Sequence, residues 1–345
     1  MALLDSPTWF IISFLAALIF MFKFKYSSSK LRPPPGPPGW PLVGNIFNLG
    51  TMLHQDFHKL QSKYGPILWL KLGTVNTVVI QSAATAAELF KKHDLPFSDR
   101  RVFDSLTACD YHKGSLAQAH YGKYWRRVRR LCSSELTVHE RINASAPLRR
   151  ISIDKMIEWI KEDVSKFGEI QLNKYLFFMT HNLIGNIMLG RDVMDLHSEK
   201  GNQFFEATNQ FMKWNGTPNI VDVFGFLRWI DPQGIRRNTE KHLGILLSLV
   251  AGFVKERIEE RKLGKESRDF LDALLEFEGD GKGGIEKLSQ KNVTIIIMVQ
   301  GGYPLVRVTT KVAGLSLGSN LSEVGNLSGV FKRISGGSKK GNMSM

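Results

Sequence analysis

The stretch Tyr121-Gly-Lys-Tyr-Trp-Arg-Arg-Val-Arg-Arg130 decides how this chain is read. Nothing after Gly122 interrupts a helix. At 3.6 residues per turn, Trp125 and Arg129 then share one face. An indole beside a guanidinium makes a clamp for an anionic group on a flat apolar body. The guanidinium grips a carboxylate through two parallel hydrogen bonds, and the indole N–H adds another donor. Arg126, Arg127 and Arg130 point elsewhere and form a cationic ridge. An ordinary solvated basic helix with one core tryptophan has the same pattern, and spacing alone favours that plainer reading.

Outward from this segment, composition bounds the answer. The chain has 345 residues, 43% hydrophobic and 23% charged, enough for a substantial core in one large domain or two ordinary ones. With 31 glycines and 13 prolines, both near average usage, collagen and wholesale disorder are excluded. Two cysteines exclude a disulfide scaffold and any zinc or iron–sulfur site of four thiolates. The net charge of +14 suits anionic lipid, an acidic protein or nucleic acid. No aromatic residues interleave a basic groove, so nucleic acid is not an expected partner.

Trp9 to Phe22 reads WFIISFLAALIFMF, with Ser13 its one polar residue. Lys23, Lys25, Lys30 and Arg32 follow, and no Lys or Arg precedes the run. A cleaved signal peptide predicts a basic stretch before the apolar run and a small-residue cleavage site. The first is missing, and Tyr26-Ser27-Ser28-Ser29 is a poor version of the second. The flanks instead predict an uncleaved single-pass anchor over residues 1–24 that crosses the membrane lipid, with the N-terminus outside and the bulk of the chain cytosolic. Sequons such as Asn143-Ala-Ser145 would then face the wrong side for glycosylation. Residues 25–45 form a basic, proline-rich hinge. Its core, Pro33-Pro-Pro-Gly-Pro-Pro-Gly-Trp-Pro41, predicts a stiff spacer; a ligand for an SH3-type groove is the alternative.

Gln55 to Tyr64 predicts a short helix ended by Gly65-Pro66. Ile67–Leu72 and Thr77–Ile80 predict a hairpin, and Ala83 to His93 a helix capped by Ser82. From about residue 115 to 300 the apolar spacing is largely helical. In Lys241–Lys262, residues Leu243, Leu246, Leu247, Val250, Phe253, Val254 and Ile258 recur at helical steps. Asp269 to Phe277 predicts another helix, and Gly279 to Gly284 a solvated turn rather than a phosphate loop. His54 and His58 are four apart but lack a third metal ligand, and no nucleophile elbow or Walker motif appears.

Four features together resemble a plant microsomal cytochrome P450: the anchor, the hinge PPPGPPGWPLVGN (Pro33–Asn45), the W-x-x-x-R of Trp125 and Arg129, and Phe226-Leu-Arg-Trp-Ile-Asp-Pro-Gln-Gly-Ile235. The last, with Phe97-Ser-Asp-Arg100 and Lys113-Gly-Ser-Leu116, is similar to the geraniol 8-hydroxylase-like and iridoid- or flavonoid-oxidising branch. The resemblance implies a mainly α fold with a small β-sheet, the N-terminal portion of the P450 fold, over residues 46–300. It implies NADPH- and O2-dependent hydroxylation of a small lipophilic terpenoid or phenolic at the endoplasmic reticulum membrane. Trp125 and Arg129 would hold a haem propionate. Phe103, Leu106, Phe205, Phe211, Met212 and Trp214 would line the substrate pocket. Arg126, Arg127 and Arg130 would face NADPH-cytochrome P450 reductase.

The chain then departs from that pattern. Asn292-Val-Thr-Ile-Ile-Ile297 resembles the start of the family's long central helix but continues as Met298-Val-Gln-Gly-Gly-Tyr-Pro304. Residues 301–345 hold nine glycines and seven serines and predict a disordered basic tail. The family's E-x-x-R and its glycine-rich cysteine-ligand loop are absent, and neither Cys109 nor Cys132 has the surround of a proximal thiolate. An inactive chain without stably bound haem is therefore expected, or a membrane-bound protein that binds reductase or another P450 through its basic helix. Helices expecting a missing half, Lys241–Lys262 and the central helix above all, are expected to expose apolar faces. The loss of pattern in mid-helix points to a shifted reading frame or a read-through intron. Genomic sequence downstream of codon 297 should then hold the missing motifs in another frame; a transcript without frame change or retained intron rules this out.

Overall fold

A computed structural model describes residues 9, 12–16, 33–50, 52–136, 138–265, 269–278 and 287–299. They are mainly helical with one two-stranded sheet. Contacts divide the chain into two units, Met1–Ser98 with Ile220–Ile230, and Asp99–Asn219 with Asp231–Met345. Apart from Trp9 and residues 12–16, the expected anchor lies outside the described residues. Among the described residues no helix is long and apolar enough to cross a membrane. Gly279–Gly284 and the tail 301–345 also lie outside them.

In the first unit, β1 (Ile67–Leu72) and β2 (Val75–Ile80) pair antiparallel, with Leu72 opposite Val75 and Ile67 opposite Ile80. Strand periodicity puts Leu68 and Leu70 on one face, and both are fully buried. Before the hairpin lies α1 (Leu53–Tyr64), which carries the exposed His54 and His58. After it comes α2 (Ala83–Lys92), where Ser82 Oγ accepts from the Thr85 N–H. The proline segment does more than span a gap. Trp69 N–H donates to Pro35 O (2.9 Å), and Lys71 N–H to Asn45 Oδ1 (2.8 Å). Asn45 Nδ2 in turn donates to Pro37 O (3.1 Å). One buried asparagine thus fastens a run poor in backbone donors to the edge of β1. Gly44 makes the approach possible: its φ is +64°, and a Cβ there would lie 2.0 Å from Lys71 O. A short helix, α9 (Ile220–Val223), belongs to this unit too; Thr74 N–H and Oγ1–H both donate to Val223 O.

The second unit is helical. A 3-10 turn (Asp104–Asp110) leads into α3 (Tyr111–Gly114) and α4 (Lys123–Leu136). Then follow α5 (His139–Ala144), α6 (Ala146–Phe167), α7 (Leu172–Leu189) and α8 (Glu199–Gly216). After these come α10 (Ile235–Lys262), α11 (Phe270–Leu275) and a final helix, α12, at residues 290–299. Apolar nearly all round, α7 is the most enclosed, with Phe178, Leu183, Ile184 and Met188 buried. On α10 the buried stripe is Leu243, Leu246, Val250 and Val254, with Leu247, Phe253 and Ile258 packed at its margins.

The expectation that α10 and the central helix expose apolar faces is overturned. Val293, Ile295, Ile296 and Ile297 of α12 are each at most 5% exposed. The two core clusters they join are built from α7, α8, α10, α11 and the 3-10 turn, so these elements cover one another. Close packing also needs Gly114, whose Cβ would fall 2.9 Å from Ile295 Cδ1.

A buried charge ties this unit together. Arg257 of α10 is 6% exposed. Its Nη1 donates to Asp269 Oδ2 (2.8 Å) and Asp272 Oδ2 (3.2 Å), and its Nη2 to Leu189 O (3.0 Å). Asp269 is also the α11 cap, accepting from the Asp272 N–H. Arg257→Met would take the guanidinium from Asp269 and leave Asp272 only the more distant Arg261 (3.6 Å). It is expected to lower unfolding free energy by about 3–5 kcal/mol in chemical denaturation, with Arg257→Lys intermediate. A loss below about 1 kcal/mol would class the cluster with surface ion pairs.

Candidate functional site

The second unit holds a half-open cavity of about 390 Å³. Helical spacing builds its walls. On α8 the residues facing it are Phe204, Thr208, Phe211 with Met212, and Asn215, at three- or four-residue steps. On α7 they are His181, Ile184 with Gly185, and Met188 with Leu189. From α10 come Leu246, Val250 and Phe253; from α12, Ile297, Met298 and Val299; from the segment before α4, Leu106, Tyr111, Ala117 and Gln118.

Of the expected pocket residues, Leu106, Phe211 and Met212 line this cavity, and Phe103, Phe205 and Trp214 do not. Phe103 is exposed just before the 3-10 turn. Phe205 sits one residue, about 100° of helix, beyond Phe204; it packs edge-to-face on Phe177 at 4.9 Å. Trp214 is half-buried, with Lys213 Nζ 5.9 Å from its ring.

His181 is the most distinctive group on the wall, and sequence reasoning missed it. Its Nδ1 lies 2.8 Å from Phe177 O. A carbonyl only accepts, so Nδ1 carries the proton. The ring lies 3.9 Å from that of Phe177 and 5.2 Å from that of Phe204. Burial pushes its pKa down to about 4, against the opposing pull of the Phe177 bond, so the imidazole is neutral at pH 7. Beside it, Thr208 Oγ1–H donates to Phe204 O (2.8 Å).

The predicted pairing on α4 is present. The Arg129 guanidinium lies 5.1 Å from the Trp125 ring centroid, and Arg100 lies 5.4 Å from it. The indole N–H, expected as a donor to a bound anion, instead donates to Leu116 O (2.9 Å), and Tyr124 O–H donates to Gly114 O (2.9 Å). These two bonds pin the cavity-lining segment to α4. Arg126 covers the Tyr121 ring at 5.6 Å. It is exposed, as are Arg129 and Arg130, whereas Arg127 is half-buried.

The family model for cytochrome P450 matches residues 34–302, most of the chain. The chain belongs to the cytochrome P450 family. It is 48% identical over 293 residues to an iridoid oxidase of Catharanthus roseus, covering 83% of this chain and 57% of that protein. It is 35% identical over 299 residues to a drimenol monooxygenase of Persicaria hydropiper, covering 86% and 59%. A geraniol 8-hydroxylase of Catharanthus roseus is 32% identical over 292 residues, covering 84% and 59%. The chain thus spans under three fifths of the length of these P450 relatives.

P450 membership implies haem, and haem-thiolate chemistry needs a cysteine sulfur. The thiols present do not fit that need. Cys132 is buried beside Val128 on the inner face of α4, within the core. Cys109 is half-buried, with its Sγ 4.0 Å from Glu240 O and its pKa raised by burial and then by Glu240. Neither lines the cavity. Cys109 and Asp110 both hold a left-handed backbone (φ +54° and +57°). Asp110 is clamped by Lys291 of α12 (2.8 Å) and Lys113 (3.0 Å), which pull its pKa down to about 2.

The neutral histidine has a measurable consequence. Its folded pKa lies below its unfolded value of 6.5, so the unfolded chain takes up the proton first. This group leaves stability unaffected above pH 6.5 and costs progressively more as pH falls toward 4, on the order of 3 kcal/mol in all. Urea midpoints for His181→Asn, which cannot titrate, should lose that part of the acid slope. Parallel profiles for both proteins would refute a neutral buried imidazole.

Proposed function

We propose that this chain is the substrate-enclosing part of a haem-thiolate monooxygenase that hydroxylates a small lipophilic plant metabolite, a terpenoid or phenolic. The cavity carries this reading. At about 390 Å³ it lies in the size range that encloses small molecules, and its walls are almost wholly aliphatic and aromatic, with a few polar groups. Relatives named for oxidising an iridoid, geraniol and drimenol agree with such an occupant. Activation of oxygen is a separate matter. It requires an axial sulfur pushing electron density onto iron, and Cys109 and Cys132 stand off the cavity wall. On this reading the chain by itself binds substrate without oxidising it.

Equilibrium dialysis of the purified chain in detergent tests the binding arm. A labelled monoterpene should bind, and Leu246→Trp, which fills the cavity, should weaken it about tenfold or more. Haem-supplemented chain, reduced under carbon monoxide, should lack the long-wavelength Soret band of a thiolate-ligated iron. Unchanged binding in the filled variant, or the appearance of that band, would overturn the corresponding half of the proposal.

A further inference from the structure

A nearly apolar cavity selects among similar ligands through its few polar atoms, and here two of these have fixed hydrogen-bond roles. His181 gives its one proton, on Nδ1, to Phe177 O. The other ring nitrogen, Nε2, therefore has a lone pair and no hydrogen. Among the described residues no partner meets Nε2. The ring is packed deep in the protein yet keeps accessible surface, and His181 is part of the cavity wall. Thr208, on the facing helix, has likewise committed its proton, to Phe204 O, and offers only lone pairs. The side-chain amides of Gln118 and Asn215 and the hydroxyl of Tyr111, also on the wall, can both donate and accept, so they do not discriminate.

We infer that His181 Nε2 is the cavity's hydrogen-bond acceptor for a ligand hydroxyl, so that the preferred occupant is a small lipophilic alcohol or phenol rather than the matching hydrocarbon or ether. The inference rests on the cavity enclosing the substrate, as proposed above, and adds which functional group that substrate presents. On a largely apolar wall a ligand O–H gains a bond to such an acceptor, whereas an ether oxygen, itself only an acceptor, is left facing another lone pair. The site is built to reject the analogue that lacks the donor. Protonation would abolish the acceptor, and the buried setting prevents it at neutral pH.

The test uses the full chain in detergent with a monoterpene alcohol, its methyl ether and the parent hydrocarbon as probes. By equilibrium dialysis, the alcohol should bind about tenfold more tightly than the ether. His181→Leu should erase that preference while still taking up the hydrocarbon, and His181→Gln, whose amide serves alcohol and ether alike, should erase it while keeping alcohol affinity above that of the leucine variant. Nitrogen-15 spectra of the histidine rings in the unaltered protein give a readout that no folding defect can disturb. The Nε2 resonance should move when the alcohol is added and stay in place with the ether. Equal affinity for alcohol and ether, a preference that survives in His181→Leu, or an unmoved Nε2 signal would overturn the inference while leaving the enclosing cavity intact. Failure of all three probes to bind would overturn both.

Discussion

The geometry of the helical unit depends on burying one guanidinium. Arg257 gathers the cap of α11, the end of α7 and its own helix around a single planar cation. Taking charges out of water costs more than an isolated pair returns, so such a cluster adds little net stability over an apolar substitute of similar shape. What it adds is direction. The guanidinium fork has fixed donor angles, which restrict where Asp269, Asp272 and the Leu189 carbonyl can sit. Leu189 and Val250 lie on the cavity wall, on α7 and α10. The width of the cavity at that end is therefore set by hydrogen-bond geometry as well as by apolar packing.

Much of this was legible in the sequence where a single helix or strand fixes the answer. The hairpin, the α10 stripe and the Trp125–Arg129 pair follow from periods of two or 3.6 residues, and the Ser82 cap from a hydroxyl placed just ahead of a helix. The cavity was half legible. Phe204, Thr208, Phe211 and Asn215 form a regular helical stripe, but two of the four are polar, and Phe205 and Trp214, which the resemblance implies, stand at neighbouring angles of the same helix. His181 was invisible for another reason. In Leu176-Phe-Phe-Met-Thr-His181 it is one polar residue in an apolar run. Its role depends on Phe204, which reaches it from a different helix.

The central helix is covered, where its sequence predicts an exposed apolar face, because the surfaces that cover it come from far along the chain. The segment around Gly114 meets Ile295 across some 180 residues, and Lys291 reaches back to Asp110. Neither link leaves a local trace. The sequence does show a glycine at 114 and opposite charges at 110 and 291; only the fold makes these a close approach and a clamp. The two left-handed residues at 109 and 110 belong to the same arrangement, a backbone turn held by contacts to α12 rather than by glycine.

The relatives sharpen what the framework can and cannot determine. An iridoid oxidase, a drimenol monooxygenase and a geraniol 8-hydroxylase all align over more than four fifths of this chain, at identities from 48% down to 32%. One helical scaffold therefore accompanies three differently named oxidations, and the scaffold by itself does not choose the substrate. Selection falls to the side chains that the scaffold turns inward. In this chain most of those are aliphatic or aromatic, which tolerate one apolar shape nearly as well as another. Discrimination by chemistry then rests on the few wall atoms that can form hydrogen bonds, and it is strongest where an atom's role is fixed in advance. The His181–Phe177 bond fixes such a role through a backbone carbonyl, a partner that substitution at Phe177 cannot remove.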